Sequence, residues 1–381
     1  MNFNQITNNR YPIQFVDTEV ELKKVAARLQ SVPEFSFDTE FDRFRWEYGF
    51  KLYLLQIFDG KTCYLIDPVR LKDLSPLWPA FENPTILKVL YSGKEDIDLI
   101  KRYGCFPKSI FDVQIASKIC NHPAVSFSKL VLAEFGIELD KSDQTSNWKI
   151  RPLTFSQQHY ASNDVIYLLG LKDTLAAEVS RIGMMPILEE ENRACEEVTT
   201  SDFVPKLSGK QRASYSEHHQ EMLYKLILIR DRKAQEMNMP PFKIVGDEIL
   251  EDIIRDPVGF LKQPFSRGFS RKALEAEQFT NEVVNVARQI RIDLNWESVP
   301  MVRPDAAIAE SKRERNAYEN VFKPIKEQVV KTYGQVAGDF YMVGLRDLIC
   351  APVVDLSLLK QYQRKMVENA VKELNIALPI G

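Results

Sequence analysis

The sequence predicts an α/β domain, in which helices pack on a mixed β-sheet, followed by two all-α helical domains. Three observations lead to this prediction. Strand-like segments alternate with helical ones in the first half of the chain, the chain after about residue 209 is helical in pattern, and a short pattern recurs within that part. We place the domains at residues 1–205, 210–295 and 300–381, with a linker from about Ser201 to Gly209.

The strands of the first domain are predicted from four segments. Residues 35–41 (FSFDTEF) alternate and are rich in aromatic side chains. The other three segments are short apolar runs, at residues 51–58, 62–66 and 86–91. An Asp-Gly pair between the second and third segments favours a tight hairpin turn. The first three strands should therefore form a meander.

Two helices of this domain begin with the spacing of a capping box. Ser92 and Glu95 stand three apart and predict a helix over 93–103 that has Ser92 as its N-cap. A Thr and a Gln with the same spacing begin a long helix over 154–183. Shorter helices are expected between these two.

The two helical domains are predicted from an internal repeat. Residues 242–250 (FKIVGDEIL) and 340–348 (FYMVGLRDL) share the pattern F-x-[IM]-V-G-x-x-x-L. We expect a long helix before and another helix after each copy, and a separate core for each domain.

Composition excludes several classes of protein. The chain has 381 residues, 45% of them hydrophobic and 27% charged, which is typical of folded globular domains. It has no run of about 18 apolar residues that would span a membrane, and no secretion-signal pattern at its N-terminus. Five cysteines without a CxxC pair, apart from the four histidines, argue against a disulfide scaffold or a zinc site and favour a reducing compartment. Dinucleotide, P-loop, zincin and α/β-hydrolase motifs are absent from the sequence.

Carboxylates are concentrated on one face of the first predicted strand. Side chains alternate along a strand, so Asp38 and Glu40 lie on the same face as Ser36, opposite the phenylalanines. Two close carboxylates repel each other unless a cation or a proton intervenes, and oxygen ligands of this kind suit Mg²⁺ or Mn²⁺. The alternative is an acidic strand edge that faces solvent.

Three further acids are candidates, on two predicted helices. Tyr160 and Asp164 stand four apart and so share a helix face, although ordinary packing also explains such a pair. Asp96 and Asp98 lie near the start of the 93–103 helix, where acids also stabilise the helix dipole.

Three segments together resemble the DEDDy family of 3′→5′ exonucleases. FDTEF is followed by SGKEDIDLI and then by YASNDVIYLL, in the family's motif order. Within the family the closest resemblance is to ribonuclease D, through LDKSDQTSNWKIRPLT and through the repeats, which resemble helicase-and-ribonuclease-D C-terminal (HRDC) domains. The resemblance covers nearly the whole chain and implies a ribonuclease-H-like fold for the first domain.

The resemblance also implies roles for five residues. Asp38 and Glu40 match the acids of the first motif, Asp96 that of the second, and Asp164 that of the third. Tyr160 matches the tyrosine that distinguishes this subfamily. The family's chemistry then implies two divalent metal ions, Mg²⁺ or Mn²⁺, bound directly by Asp38, Glu40 and Asp164, with Asp96 acting through water. Tyr160 would chiefly orient the attacking water.

Substrate contacts are predicted at three positions. Phe41 would stack on or wedge against the terminal base, while Gln56 and Lys141 would touch the nucleic-acid backbone. Packing or surface roles explain each of them equally well. Basic side chains on the predicted helix 217–236 would follow phosphates, unless they belong to an ordinary solvated face.

The function predicted from the resemblance is a metal-dependent 3′→5′ exoribonuclease that trims structured RNA such as tRNA precursors in the cytoplasm. Its partner is RNA with a free 3′ end, with no membrane and no obligate protein partner. The alternatives are a DNA exonuclease with the same mechanism and a non-catalytic nucleic-acid scaffold. Recognition of the ribose 2′-OH separates RNA from DNA, and no residue can be assigned to it from the sequence.

Overall fold

A computed structural model describes residues 6–8, 11–200, 203–265, 268–293 and 312–378. Its centre is a seven-stranded sheet in the order β1-β2-β5-β4-β3-β6-β7. The strands are β1 (Ile6–Asn8), β2 (Tyr11–Val16), β3 (Glu34–Arg43), β4 (Phe50–Phe58), β5 (Cys63–Ile66), β6 (Leu87–Leu90) and β7 (Ile110–Asp112).

The sheet is mixed, as the sequence predicts. β2 pairs with β5, β3 with β6 and β6 with β7 in parallel, whereas β1 pairs with β2 and β4 with β5 in antiparallel fashion. The four predicted strands are confirmed as β3 to β6. The other three were missed because β1 and β7 have only three residues each and β2 contains Pro12, which weakens a strand signal.

Helices pack around this sheet. They are α1 (Glu19–Leu29), α2 (Trp78–Phe81), α3 (Lys94–Arg102), α4 (Val113–Ile119), α5 (Phe127–Phe135), α6 (Phe155–Ile166), α7 (Leu168–Arg181) and α8 (Met185–Glu196). The predicted capping box at Thr154 is present at the start of α6. The single long helix expected over 154–183 is wrong, because Tyr167 interrupts it between α6 and α7.

The start of α3 also differs from the prediction. Its N-cap is Gly93 rather than Ser92, and no side chain caps it. Ser92 has a φ of +55°, outside the extended conformation that a capping serine adopts. The backbone N–H of Ser92 instead donates to the carboxylate of Asp112.

The rest of the chain is helical. Its helices are α9 (Gly209–Ser214), α10 (Glu217–Glu236), α11 (Pro241–Ile244), α12 (Asp247–Arg255), α13 (Pro257–Lys262), α14 (Arg271–Leu274), α15 (Glu277–Asp293), α16 (Lys323–Tyr333), α17 (Gln335–Tyr341), α18 (Arg346–Ile349) and α19 (Gln361–Leu374). Residues 203–208 of the predicted linker form neither helix nor strand, and residues 201–202 lie outside the described part.

The two copies of the repeat differ in detail. In both, the conserved glycine closely precedes a helix, α12 after Gly246 and α18 after Gly344. The helix that follows has nine residues in the first copy but only four in the second. A long helix before and another helix after each copy, as expected, are nevertheless present in both, with α10 before the first and α16 before the second.

Contacts divide the chain into two compact units rather than three. The first unit comprises Met1–Phe41, Leu52–Thr200 and Glu310–Gly381, and the second comprises Asp42–Lys51 and Ser201–Ala309. The second unit has a core of its own, built mainly from α10, α12 and α15.

The last helical segment has no separate core, contrary to our expectation. Ile325, Val329, Tyr341 and Val367 are buried in the same cluster as residues of the sheet and of α4 to α8. Glu191 of α8 accepts hydrogen bonds from side chains of this segment. The sequence boundaries at 205/210 and 295/300 stay a prediction, but the third predicted domain packs as part of the first unit.

Within the described residues, no helix is both long and apolar enough to cross a membrane.

Candidate active site

Strand β3 and helix α6 bring the first and third motifs together. On β3, Phe35 and Phe37 are fully buried, and Asp38 and Glu40 lie on the opposite face, as strand alternation requires. The hydroxyl of Ser36, also on the acidic face, donates to the carbonyl oxygen of Val165 over 2.7 Å. This buried hydrogen bond fixes α6 against the acidic face of β3.

Three carboxylates converge where these two elements meet. Asp38, Glu40 and Asp164 each offer an oxygen, and these oxygens all lie within 4.8 Å of one another. All three side chains are half-buried. Within the described part of the chain, no other group of three His, Cys, Asp or Glu residues meets this spacing.

Asp96 lies beside the three carboxylates but is not one of them. It is only 6% exposed, and its carboxylate accepts a short hydrogen bond from the hydroxyl of Thr39, the residue between the two acids of β3. Asp98 points elsewhere and pairs with Arg102 one turn further along α3. The structure thus places Asp96 against β3, whereas Asp98 pairs within its own helix.

Asp112 supports the segment that carries Asp96. Its buried carboxylate caps α4 and also reaches the turn before α3. It accepts hydrogen bonds from the backbone N–H groups of Ser92, Gly93, Gln114 and Ile115. One side chain thereby joins the starts of two helices.

The site makes its own carboxylates difficult to ionise. Burial raises the pKa of Asp164 to about 7 and that of Asp96 to about 6, although a hydrogen bond from Tyr160 opposes the first shift and one from Thr39 the second. Burial, reinforced by the neighbouring carboxylates, raises the pKa of Asp38 and of Glu40 well above their ordinary values.

Tyr160 contacts the acidic cluster through its hydroxyl. The hydroxyl hydrogen-bonds with Asp164, which stands one turn further along α6. Burial and the charges of Asp164, Glu40 and Asp38 raise the pKa of Tyr160 far above its ordinary value. In the absence of a cation, the phenol therefore keeps its proton at neutral pH and can donate a hydrogen bond.

A cavity of about 260 Å³ opens beside the carboxylates. Asp38, Tyr160 and Asp164 line one part of it, and Lys141, which is exposed, lines another. The remaining lining residues were not predicted as site residues, and they are Tyr91, Ser126, Phe127, Ser128, Leu139, Asp140 and Gln144. Tyr91 directly follows β6, Ser126, Phe127 and Ser128 form the start of α5, and the other three belong to the loop before α6. No sequence periodicity indicates that these segments lie near the acids.

Two of the predicted substrate contacts are not in this cavity. Phe41 is half-buried and does not line it. Gln56 is fully buried in β4, and neither atom of its amide has a hydrogen-bond partner. A side chain at that depth cannot touch a substrate backbone, so this prediction is wrong. Strand alternation gave no warning, because β4 is buried on both faces.

The carboxylate cluster fits divalent cations. Its donors are exclusively carboxylate oxygens. Such donors suit hard cations such as Mg²⁺ and Mn²⁺ better than they suit zinc. Burial first, and then repulsion between neighbouring carboxylates, raise the pKa of Asp38 and of Glu40, and a bound cation would oppose both effects. Asp38, Glu40 and Asp164 are the residues that would hold a cation directly.

Comparison with known proteins agrees with this geometry. A family model described as a 3′-5′ exonuclease matches residues 13–180. Ribonuclease D of Shewanella sp. (strain ANA-3) is 34% identical over 273 residues, which are 70% of this chain and 69% of that protein. Ribonuclease D of Escherichia coli (strain K12) is 32% identical over 262 residues, which are 68% of this chain and 70% of that protein.

Solved structures extend the similarity over most of the chain. The crystal structure of Escherichia coli RNase D, described as an exoribonuclease involved in structured RNA processing, superposes with a TM-score of 0.73 at 25% identity. The match covers 95% of this chain and 99% of that one. The catalytic core of RRP6 from Trypanosoma brucei has the same fold over 77% of this chain, with a TM-score of 0.66 at 21% identity, and the match covers 84% of that core.

Proposed function

The chain belongs to the ribonuclease D family, and from this premise we propose that its acidic cavity removes nucleotides from the 3′ end of structured RNA with the help of two divalent cations. The single observation that carries the proposal is the convergence of Asp38, Glu40 and Asp164 beside a cavity of about 260 Å³, which Asp38 and Asp164 line. Family membership makes the protein a 3′→5′ exoribonuclease, a hydrolase of phosphodiester bonds.

Different residues of the site have different roles in hydrolysis. When bound, two cations, Mg²⁺ or Mn²⁺, supply acidification of the attacking water and neutralisation of charge on the phosphate and on the leaving oxygen. Asp38, Glu40 and Asp164 hold them, and Asp96 acts from a second layer. Tyr160 chiefly orients the attacking water through its hydroxyl, which lies beside Asp164.

Three substrate contacts were predicted from the sequence, and of these Lys141 has the support of its position at the cavity. It is exposed at the cavity wall, and its ammonium group is suited to a phosphate next to the scissile bond. Phe41 stays a weaker candidate, because a base would have to reach it from outside the cavity.

The helical segments are proposed to be HRDC-like, on the basis of the sequence repeat and the separate core of the second unit. Helix α10 does not offer a free basic face to RNA, however. Its four candidate cations are each paired with a carboxylate of the second unit, in the pairs Lys225–Glu221, Arg230–Asp247, Arg232–Glu282 and Lys233–Glu236. Any RNA contact by this unit must therefore compete with these ion pairs or use another surface.

The physiological substrate is proposed to be structured RNA, such as a tRNA precursor. The support is the description of the Escherichia coli relative as acting in structured RNA processing. A cytoplasmic location agrees with the five cysteines, all of which are free.

One assay separates these proposals from their alternatives. The full chain is incubated with 5′-labelled RNA that has a structured body and a single-stranded 3′ tail, and with DNA of the same sequence, each with Mg²⁺ or with chelator. We expect stepwise shortening of RNA from the 3′ end only with the cation. Preferred shortening of DNA would favour the DNA exonuclease, and binding without cleavage would favour the scaffold.

A further inference from the structure

We propose that the hydroxyl of Ser126 recognises the ribose 2′-OH of the 3′-terminal nucleotide and so gives the site its preference for RNA over DNA. This inference rests on the proposed function, because it concerns the substrate of the same cavity. Ser126 lies on the cavity that Asp38 and Asp164 also line, and its hydroxyl has no hydrogen-bond partner within the described residues.

An unpaired hydroxyl is unusual at the position that Ser126 occupies. Ser126 is the N-cap of α5, with extended backbone angles (φ −94°, ψ 145°), and its carbonyl accepts the first bond of the helix from the N–H of Leu130. A serine there normally turns its hydroxyl onto an N–H of the first turn. Here the hydroxyl makes no such bond, although it is shielded from solvent. A buried hydroxyl without a partner costs free energy that a ligand can recover.

Two other hydroxyls of the cavity, those of Tyr91 and Tyr160, are already engaged. The hydroxyl of Tyr91 donates a short hydrogen bond to the carbonyl of Val125 and accepts one from Gln114. The hydroxyl of Tyr160 bonds to Asp164. Ser126 therefore has the one buried, unsatisfied hydroxyl that the cavity wall holds among the described residues. Rotation about its Cα–Cβ bond is enough to redirect it, since serine exchanges among three staggered rotamers.

Phe127, the residue after Ser126, could hold the base of a nucleotide in the cavity. Phe127 lines the cavity and packs against Tyr91, with ring centroids 5.4 Å apart. The two hydrogen bonds of Tyr91 hold that pair in place. A ring fixed in this way offers a stacking surface for an unpaired base, and the hydroxyl of the preceding residue is then placed for the sugar of the same nucleotide.

The nucleotide in question is the one that the reaction releases. Its scissile phosphate must lie at Asp38, Glu40 and Asp164, and Ser126 lies on the same small cavity. A 2′-OH can both donate and accept, which matches a serine hydroxyl in either orientation. A deoxyribose would leave Ser126 unpaired in the bound state, and sites of this kind discriminate against a ligand that lacks the hydroxyl.

The test uses Ser126→Ala in the full chain, with two RNA substrates that differ only in whether the 3′-terminal sugar is ribose or 2′-deoxyribose. We expect kcat/KM for release of the first nucleotide to fall about tenfold for the ribose end and to stay unchanged for the deoxyribose end. The matched control is Ser128→Ala, which removes a hydroxyl from the same cavity wall and should leave the ratio of the two rates at its wild-type value.

Two outcomes would overturn the proposal. If Ser126→Ala slows both substrates equally and lowers the melting temperature, the hydroxyl is an ordinary helix cap in solution. If neither rate changes, the 2′-OH is recognised elsewhere. Failure of the proposed function would look different: the wild-type protein itself would not shorten the ribose-ended RNA with Mg²⁺, so no ratio could be measured.

Discussion

The carboxylates of the site link its stability to pH. The pKa of Asp164 is raised to about 7 and that of Asp96 to about 6, from an ordinary value of 3.8, and the pKa values of Asp38 and Glu40 are raised as well. An acid whose pKa is higher in the folded state binds more protons when folded, so the free energy of unfolding falls as pH rises between the two values.

For the metal-free protein we therefore expect the melting temperature to fall from about pH 4 to about pH 7 through these groups. With Mg²⁺ or Mn²⁺ the fall should become smaller, because a bound cation favours the ionised carboxylates. Thermal denaturation across this range, with chelator and with cation, measures both curves. A metal-free curve that rises between pH 5 and 7 and is insensitive to cation would contradict the coupling.

Substitution of Tyr160 tests whether its hydroxyl orients the attacking water or only packs beside Asp164. Tyr160→Phe removes one hydroxyl and keeps the ring on α6. We expect turnover to fall by about 10²–10⁴ with little change in substrate affinity, since positioning of the attacking water is lost. Residual activity should still need the cation. Single-turnover cleavage separates this from a purely structural role, for which stability would fall by about 1 kcal/mol and the rate would stay near that of wild type.

At the scale of elements, Asp112 holds two helix starts with one side chain. Asp112→Ala removes four hydrogen bonds from backbone N–H groups, and we expect the free energy of unfolding to fall by about 2 kcal/mol or more. Cleavage should also weaken, because the turn before Asp96 loses its support. Urea denaturation gives the first value, and Asp98→Ala on the same helix α3 is the control, expected to change stability by less than about 0.5 kcal/mol.

Two capping boxes were predicted from the same residue spacing, and only one of them is present in the structure. The Thr154 capping box was predicted correctly because the cap depends only on local spacing and an extended N-cap. The same spacing at Ser92 failed because a buried acid 20 residues away draws the Ser92 N–H to itself and the backbone turns to positive φ. A hydrogen bond between residues far apart in the chain leaves no pattern in the local sequence from which it could be predicted.

At the scale of the molecule, the shared core of the first unit changes what truncation should do. The sequence suggested that the residues after 300 fold separately. Deleting Glu310–Gly381 would instead remove Ile325, Val329, Tyr341 and Val367 from a continuous core. Each such side chain contributes about 1.5–3 kcal/mol, so their sum approaches the whole stability of a domain.

We therefore expect the truncated chain to lose its cooperative thermal transition and to aggregate. Circular dichroism and size-exclusion chromatography are the measurements. A folded, monomeric truncated protein that still cleaves short RNA would instead support the independent third domain.

The candidate site was largely predictable because its acids lie on regular elements. The period of two along β3 and the spacing of four on α6 fix which side chains share a face. The cavity wall around Ser126 and Phe127 could not be predicted, since its position depends on how α5 packs against the sheet. The burial of Gln56 likewise depends on both faces of β4 being covered, which a single sequence does not reveal.

The most direct test of the central claim is cleavage by Asp38→Asn, measured on 5′-labelled RNA beside the wild type. Asn keeps the shape of Asp38 but removes one of the three converging charges. With Mg²⁺ we expect the wild type to shorten the RNA from its 3′ end, and Asp38→Asn to be nearly inactive while its melting temperature in chelator is equal or higher, because a repelling charge has gone. Undiminished cleavage by the variant, or by the wild type in chelator, would contradict a metal-dependent nuclease site at Asp38.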